Sequence, residues 1–334
     1  IKKHQPFCLV AGQATFLLLK QVANMQFRRT FLTTVASLAI VSTTAAWAED
    51  ITHELGVTTV PDNPSRIVVL EFSYVDALAS LGVSPVGIAD DNKPENVIAA
   101  YTDVIGTEWK SVGTRKTPSL EVIASLQPDL IIADKTRHEA VYAVLSEIAP
   151  TIVLDSLGGD YHDALEQMVV IGAALGHEDE AIARVAAHKA TMDDYVAQIS
   201  EASEGVTAQF GVTNSNGLWL HSPLSYNGSL LEVFGFSSSM TPSEGGIYET
   251  NYVATTLEQL SVVDPDILIL GKYSDPAFTD GLAGEALYDG LKSVSAGNVY
   301  EVTAHNWSRL RGLLAAELTG QDILDIMSQT SKSN

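Results

Sequence analysis

Two fifteen-residue stretches of this chain can be laid over one another. "SLEVIASLQPDLIIA" starts at Ser119 and "TLEQLSVVDPDILIL" starts at Thr256. Leu120 aligns with Leu257, Glu121 with Glu258, Pro128 with Pro265, Asp129 with Asp266 and Ile132 with Ile269. Each stretch reads as a helix, a Pro-Asp stop and a short apolar strand. A helix feeding a strand that is apolar along its whole length is half of a parallel unit, because such a strand is covered on both faces. Any helix–Pro-Asp–strand unit would share the apolar positions. It would not require a Glu in both first turns, although acids favour helix N-termini in general. The repeat therefore predicts two similar α/β lobes rather than one continuous sheet.

The rest of the chain fills in that plan. "RIVVLEFSYVDALASLGVSPVGIAD" (Arg66–Asp90) reads strand, helix, strand, with Ile67–Leu70 a continuous apolar run, Tyr74–Leu81 helical and Gly82 its stop. Val86–Ala89, Leu130–Ala133 and Ile152–Leu154 read as further strands, and Thr117 as the cap of a helix that opens at Pro118. Tyr161–Leu175 and Glu178–Ser203 follow as two helices with no strand between them. The second, at 1.5 Å per residue, is about 39 Å long. After Gly205 the alternation returns: strands at Ala208–Thr213, Leu218–His221, Ile267–Leu270 and Val299–Val302, a helix at Ser229–Phe234 and a closing helix at Arg309–Met327. The expected fold class is α/β. Two parallel-sheet lobes, residues 49–177 and 204–334, are joined by a bridging helix, 178–203, with a ligand cleft between them.

The N-terminus reads as an export signal. In "MQFRRTFLTTVASLAIVSTTAAWAED", Met25 is followed by Arg28 and Arg29, an apolar run from Phe31 to Val41, and a small-x-small site at Ala46-Trp47-Ala48. Residues 25–48 are expected to be removed as a signal peptide, and residues 1–24 to lie upstream of the fold. The only cysteine, Cys8, is in that upstream part. The exported protein is then expected to carry no disulfide and no lipidated cysteine, and to be free and soluble. Removal takes five cations and no acid, so the count falls from 19 to 14 against 41 acids and the formal charge moves from −22 to −27. A nucleic-acid partner is not expected of so acidic a chain, since phosphate binding needs a basic face.

Against that acidity, "VGTRKTPSLEVIASLQPDLIIADKTRH" (Val112–His138) gathers Arg115, Lys116, Lys135, Arg137 and His138 in two clumps. Arg115 follows one strand and Arg137 the next, and open α/β sheets bind ligands beyond the carboxyl ends of their strands. The two clumps should meet on one rim and present a pair of guanidiniums to an anionic ligand. "LEFSY" adds Glu71 and Tyr74 at the first strand's exit, with Glu71 open to a second reading as a helix cap. From the second lobe, "LHSPLSYNGS" offers His221 and Tyr226, and "HNWSRLRG" offers Trp307, Arg309 and Arg311. Arg311 is also consistent with a structural place in the closing helix, and Trp307 with the core. No G-x-S-x-G, H-E-x-x-H, G-x-x-x-x-G-K or dinucleotide-type glycine motif is placed where chemistry would need it. The histidines are too scattered for a local metal site, so no direct metal ligand is expected.

The blocks "RIVVLEFSYVDALASLGVSPVGIADD", "SVGTRKTPSLEVIASLQPDLIIADKTRH" and "NWSRLRGLLAAE" resemble the periplasmic ferric-siderophore-binding proteins of ABC importers, the siderophore and vitamin B12 binding family, and among them the citrate-binding type. The resemblance runs from about Ile51 onward and is weakest over 215–252. It implies a stiff helix between two lobes, Fe(III) held inside its chelator and no resident cofactor. Partners would be a ferric siderophore, ferric dicitrate first, and an inner-membrane permease that reads one surface acid per lobe. Glu121 and Glu258 match those acids. On this reading Arg115, Arg137 and Arg309 hold chelate oxygens, Trp307 and Tyr226 cover its flat parts, and the protein is a periplasmic monomer. The alternatives are a binder of another siderophore, haem or vitamin B12, or a two-lobed chelatase-like enzyme.

Overall fold

The computed structural model describes residues 48–333; the expected upstream segment and nearly all of the expected signal peptide lie outside the described residues. The chain opens with an antiparallel hairpin, β1 (Ala48–His53) and β2 (Gly56–Pro61), that the sequence reading did not anticipate. Five parallel strands follow: β3 (Ile67–Val69), β4 (Gly87–Ile88), β5 (Lys110–Ser111), β6 (Leu130–Asp134) and β7 (Thr151–Leu154), in the order β5-β4-β3-β6-β7. Ile67, Val68 and Val69 are wholly buried, as a strand covered on both faces must be. The helices Tyr161–Ala174 and Glu178–Ser203 then carry the chain to a second sheet. The 26 residues of the bridging helix begin and end at the predicted positions.

The second sheet holds β8 (Ala208–Asn214), β9 (Gly217–His221), β10 (Tyr252–Thr255), β11 (Ile267–Lys272) and β12 (Val299–Val302), in the order β10-β9-β8-β11-β12. This is the first sheet's order with each strand replaced by its counterpart. It is not all-parallel as expected. β8, β11 and β12 are parallel, while β9 turns straight back from β8 and pairs antiparallel with both β8 and β10. Only Ser215 and Asn216 separate β8 from β9, too short a connection for a parallel crossover.

The sequence repeat has a structural cause. The Asp129 carboxylate accepts hydrogen bonds from the backbone N–H groups of Ser65 and Arg66 at 2.9 and 2.8 Å, where β3 begins. Asp266 accepts from the Thr207 N–H at 2.9 Å, where β8 begins. Each Pro-Asp thus pins the start of its sheet's central strand. The helix that precedes it is capped by Ser119 in one lobe and Thr256 in the other. The predicted cap, Thr117, lies outside the first helix (Leu120–Ser125), because the chain stays extended at Ser119. The closing helix also differs: it spans Leu313–Ser333, and a separate helix ends at Arg309. Between them Gly312 has φ +131°, and a Cβ there would stand 2.5 Å from the Asp76 carboxylate. That carboxylate accepts from the N–H groups of Leu314 and Ala315 and starts the closing helix afresh.

Candidate functional site

The two cation clumps do meet. Asp134, the last residue of β6, accepts from the Arg137 N–H at 2.9 Å and turns the chain into the short helix Lys135–His138. Its other oxygen accepts from Ser156 and Leu157 after β7. His138 Nδ1 accepts from the Asp134 N–H at 2.9 Å, so Nε2 carries the proton and donates to the Arg115 carbonyl at 2.7 Å. Burial lowers the His138 pKa, in keeping with this neutral form. One buried imidazole thereby ties the rim after β5 to the rim after β6. Lys135 faces outward to Glu54, and Lys116 is exposed.

Arg115 and Arg137 line a cavity of about 800 Å³, and Arg309, Arg311, His221 and His305 line it from the second lobe. Arg309 ends the helix Ala304–Arg309, and Arg311 lies in the link to the closing helix rather than within it. In that short helix His305, Ser308 and Arg309 share the cavity face, while Ala304 and Trp307 share the buried one, as the three-and-four spacing requires.

Two carboxylates hold the guanidiniums. Glu71 is fully buried and ion-pairs with Arg115 Nη1 at 3.1 Å, with Arg137 Nε, and with Arg311 Nη2 at 3.4 Å. Burial alone would raise its pKa, but Arg115, Arg137 and Arg311 together hold it below the ordinary value. Glu71 occupies the N-cap position of Phe72–Leu81, yet its side chain does not cap the helix. Asp91 accepts from the N–H, Nε and Nη2 of Arg115 and stands 3.6 Å from Arg309 Nη1. Here too burial would raise the pKa, and Arg115 keeps it lowered. Phe72 and Tyr273 back Arg115 and Arg309, with guanidinium-to-ring distances of 4.6 and 4.8 Å.

Four expected contacts do not line the cavity; the first, Glu71, is wholly buried behind the arginines it pairs with. Trp307 is buried, with its indole N–H on Asp322 at 2.7 Å and its ring against Phe210. Tyr226 is buried and donates to the Gly312 carbonyl at 2.6 Å. Tyr74 lies between the carbonyls of Ala133 and Leu154. The aromatic wall is built instead from Trp219, Tyr248, Tyr252 and Tyr273, none of which the sequence reading selected. The signal for Trp219 was available. On β9 it alternates with Leu218 and Leu220, which face the core, and shares the face of His221. His221 is buried, and burial followed by Arg311 pushes its pKa down to about 3. His305 is also lowered, by burial first. The positive charge of the cavity is therefore carried by the arginines and Lys93, which also lines it, and not by histidine.

Both predicted surface acids are exposed and sit in the first turns of matched helices. Among the described residues no helix is long and apolar enough to cross a membrane.

A family model described as "Periplasmic binding protein" matches residues 67–305. The chain is 38% identical over 274 residues to the Fe(3+)-citrate-binding protein YfmC of Bacillus subtilis (strain 168), covering 82% of this chain and 84% of that one. It is 34% identical over 281 residues to the Fe(3+) dicitrate-binding periplasmic protein FecB of Escherichia coli (strain K12), covering 84% and 91%. Staphylococcus aureus SirA, solved in complex with staphyloferrin B, shares the fold with a TM-score of 0.71 at 22% identity, over 84% of this chain and 98% of that one.

Proposed function

This chain belongs to the periplasmic binding protein family, and from that premise we propose that it captures an anionic Fe(III) chelate, ferric citrate first, and delivers it to an ABC importer. The observation that carries the reading is the convergence of four guanidiniums on one cavity of about 800 Å³. Arginine presents a planar fork of donors that matches carboxylate oxygens and stays charged at any physiological pH. The iron is cargo, held by the chelator's own oxygens, and the protein meets the outer charge of the complex.

The donors are unequally spent. Arg115 gives three side-chain N–H bonds to Glu71 and Asp91, and Arg311 gives its own to Ser156, Ser308 and Glu71. Arg137 pairs with Glu71 through Nε, leaving the two amino groups of its fork, and Arg309 is the most exposed of the four. We assign direct chelate contacts chiefly to Arg137 and Arg309, one from each wall, with Arg115, Arg311 and neutral His221 completing the pocket. Trp219 and the three tyrosines suit the flat faces of the complex. They also favour a second reading, a ring-bearing catecholate siderophore.

Glu121 and Glu258 are assigned to the permease. The reading places the protein in the periplasm as a soluble monomer after loss of residues 25–48, with lobes 49–177 and 204–334 joined by 178–203. Titration of the protein with ferric citrate, a ferric hydroxamate, a ferric catecholate and vitamin B12, followed by tryptophan fluorescence, tests it. Ferric citrate should saturate at the lowest concentration. Tighter binding of vitamin B12 or of a neutral hydroxamate chelate would reject the anionic-chelate reading.

A further inference from the structure

Simple charge accounting says that a carboxylate behind the arginines of an anion-binding cavity is a defect. Removing Glu71 should then improve capture, because the four arginines would face one carboxylate instead of two. The geometry argues the reverse. Glu71 is 0% exposed and touches three of the four guanidiniums, one from the rim after β5, one from the rim after β6 and one from the link before the closing helix. Its side chain leaves the helix N-terminus that it flanks uncapped in order to do so. Without it, Arg115 would keep only Asp91, Arg311 only the neutral oxygens of Ser156 and Ser308, and Arg137 would lose its carboxylate, and breaking a buried pair strands the partner charges.

We infer that Glu71 is a positioning residue for anion capture: its buried carboxylate aims Arg115, Arg137 and Arg311, so that removing this negative charge weakens anion binding instead of strengthening it. A ligand gains from donors that already stand in place, since donors that must be gathered cost affinity. Glu71 takes up the inner donors and leaves the outer ones presented to the cavity. Because Arg311 comes from beyond the second sheet, the same carboxylate also fixes the two walls relative to each other. The inference rests on the anionic-chelate reading above for its ligand, but not for its geometry.

Two variants test it. Glu71→Gln adds one unit of net positive charge and keeps the shape. Glu71→Asp keeps the charge and falls one methylene short of three arginines. Ferric citrate should bind about tenfold or more weakly to Glu71→Gln, and with an intermediate loss to Glu71→Asp. Equal or tighter binding by Glu71→Gln, or wild-type affinity in Glu71→Asp, would overturn the inference. A second measurement needs no chelate. In the side-chain Nε–H spectrum, the Arg115, Arg137 and Arg311 signals should shift and broaden in both variants, while that of Arg184, paired with Glu317 elsewhere, stays put. Unchanged arginine signals would equally sink the idea. If the wild type ignores ferric citrate but takes another anionic chelate, only the ferric-citrate reading falls, and the variants are compared on that chelate.

Discussion

The two walls of the cavity are built on sheets of the same strand order but have spent their residues differently. The first lobe presents Arg115 and Arg137 at the carboxyl ends of parallel strands, with Glu71 and Asp91 set among them. In the second lobe β9 and β10 run antiparallel, so strand faces rather than strand ends meet the cavity, and Trp219, His221 and Tyr252 project from them. A strand end places a side chain on a loop or helix start, where a long charged group can be held by several partners. A strand face places it in a fixed row at every second residue. Both walls carry two arginines, but the antiparallel strands add to the second a row of rings that the parallel first sheet lacks, with Arg309 and Arg311 supplied from a helix end and a link.

The comparison can be broken most severely where the lobes must act together. If each lobe supplies one docking acid, Glu121→Ala with Glu258→Ala should abolish transport in vesicles bearing the cognate importer and leave chelate affinity unchanged. Two contacts held at a fixed spacing reinforce each other, so either single variant should retain part of the flux. Normal transport by the double variant would return both acids to helix N-terminal duty. The first lobe's arginines come next. Arg137→Ala should weaken ferric-citrate binding by about 1.5–3 kcal/mol, and Arg137→Lys should recover only part of it for want of the planar fork. Calorimetric titration gives both numbers. Arg115→Ala should lose a similar amount and melt earlier as well, because it leaves buried Glu71 short of a partner.

A smaller effect probes the joint behind the cavity. Burial raises the Asp76 carboxyl from 3.8 to about 6, against the hydrogen bonds from Ala315, Tyr101 and Leu314 that lower it. Its folded pKa lies above the unfolded one, so its contribution to stability is fully present below about pH 4 and is lost as pH rises through 6. Asp76→Asn cannot ionise. The stability of wild type minus that of Asp76→Asn should therefore fall by about 2 kcal/mol between about pH 4.5 and pH 7.5, as read by chemical unfolding. A flat difference would place the carboxyl at its ordinary pKa. Smallest is the effect of Trp219→Phe on affinity, under about 1 kcal/mol. The same change should remove most of the ligand-induced fluorescence signal, whereas Trp307→Phe, away from the cavity, should leave that signal in place.

The parts of this molecule that were legible in the sequence are those where one physical rule acts alone. The apolar runs at Ile67–Val69 and Leu130–Ala133, the bridging helix and the Pro-Asp repeat each follow from periodicity or from a stop signal. Arg115 and Arg137 could be brought together because parallel strands share one ligand edge. Trp307, Tyr226 and Tyr74 went the other way because residue type does not say which side of a helix faces a cavity. Trp307 faces inward because Ala304, one turn earlier, does. The role of Glu71 was legible only as position: that its side chain abandons the helix end for three arginines is a tertiary fact.

The edges of the cavity are closed by an uneven clasp. His305 Nε2 lies 2.8 Å from the Asn96 carbonyl, the Tyr252 hydroxyl donates to the Leu157 carbonyl at 2.9 Å, and Asn251 Nδ2 to the Gly158 carbonyl at 3.1 Å. In all three the second lobe supplies a side chain and the first supplies only main chain. Main-chain carbonyls are the same whatever residue bears them. Tolerance to substitution should accordingly be lopsided: positions 96 and 157 can change identity and keep the grip, so long as the backbone keeps its path, and only Gly158 is held to its type, since a Cβ there would stand 2.7 Å from the Asp155 carboxylate, whereas each of 251, 252 and 305 surrenders a fastening when it changes. The lip of the first lobe can therefore change side chains at 96 and 157 without loosening these three bonds.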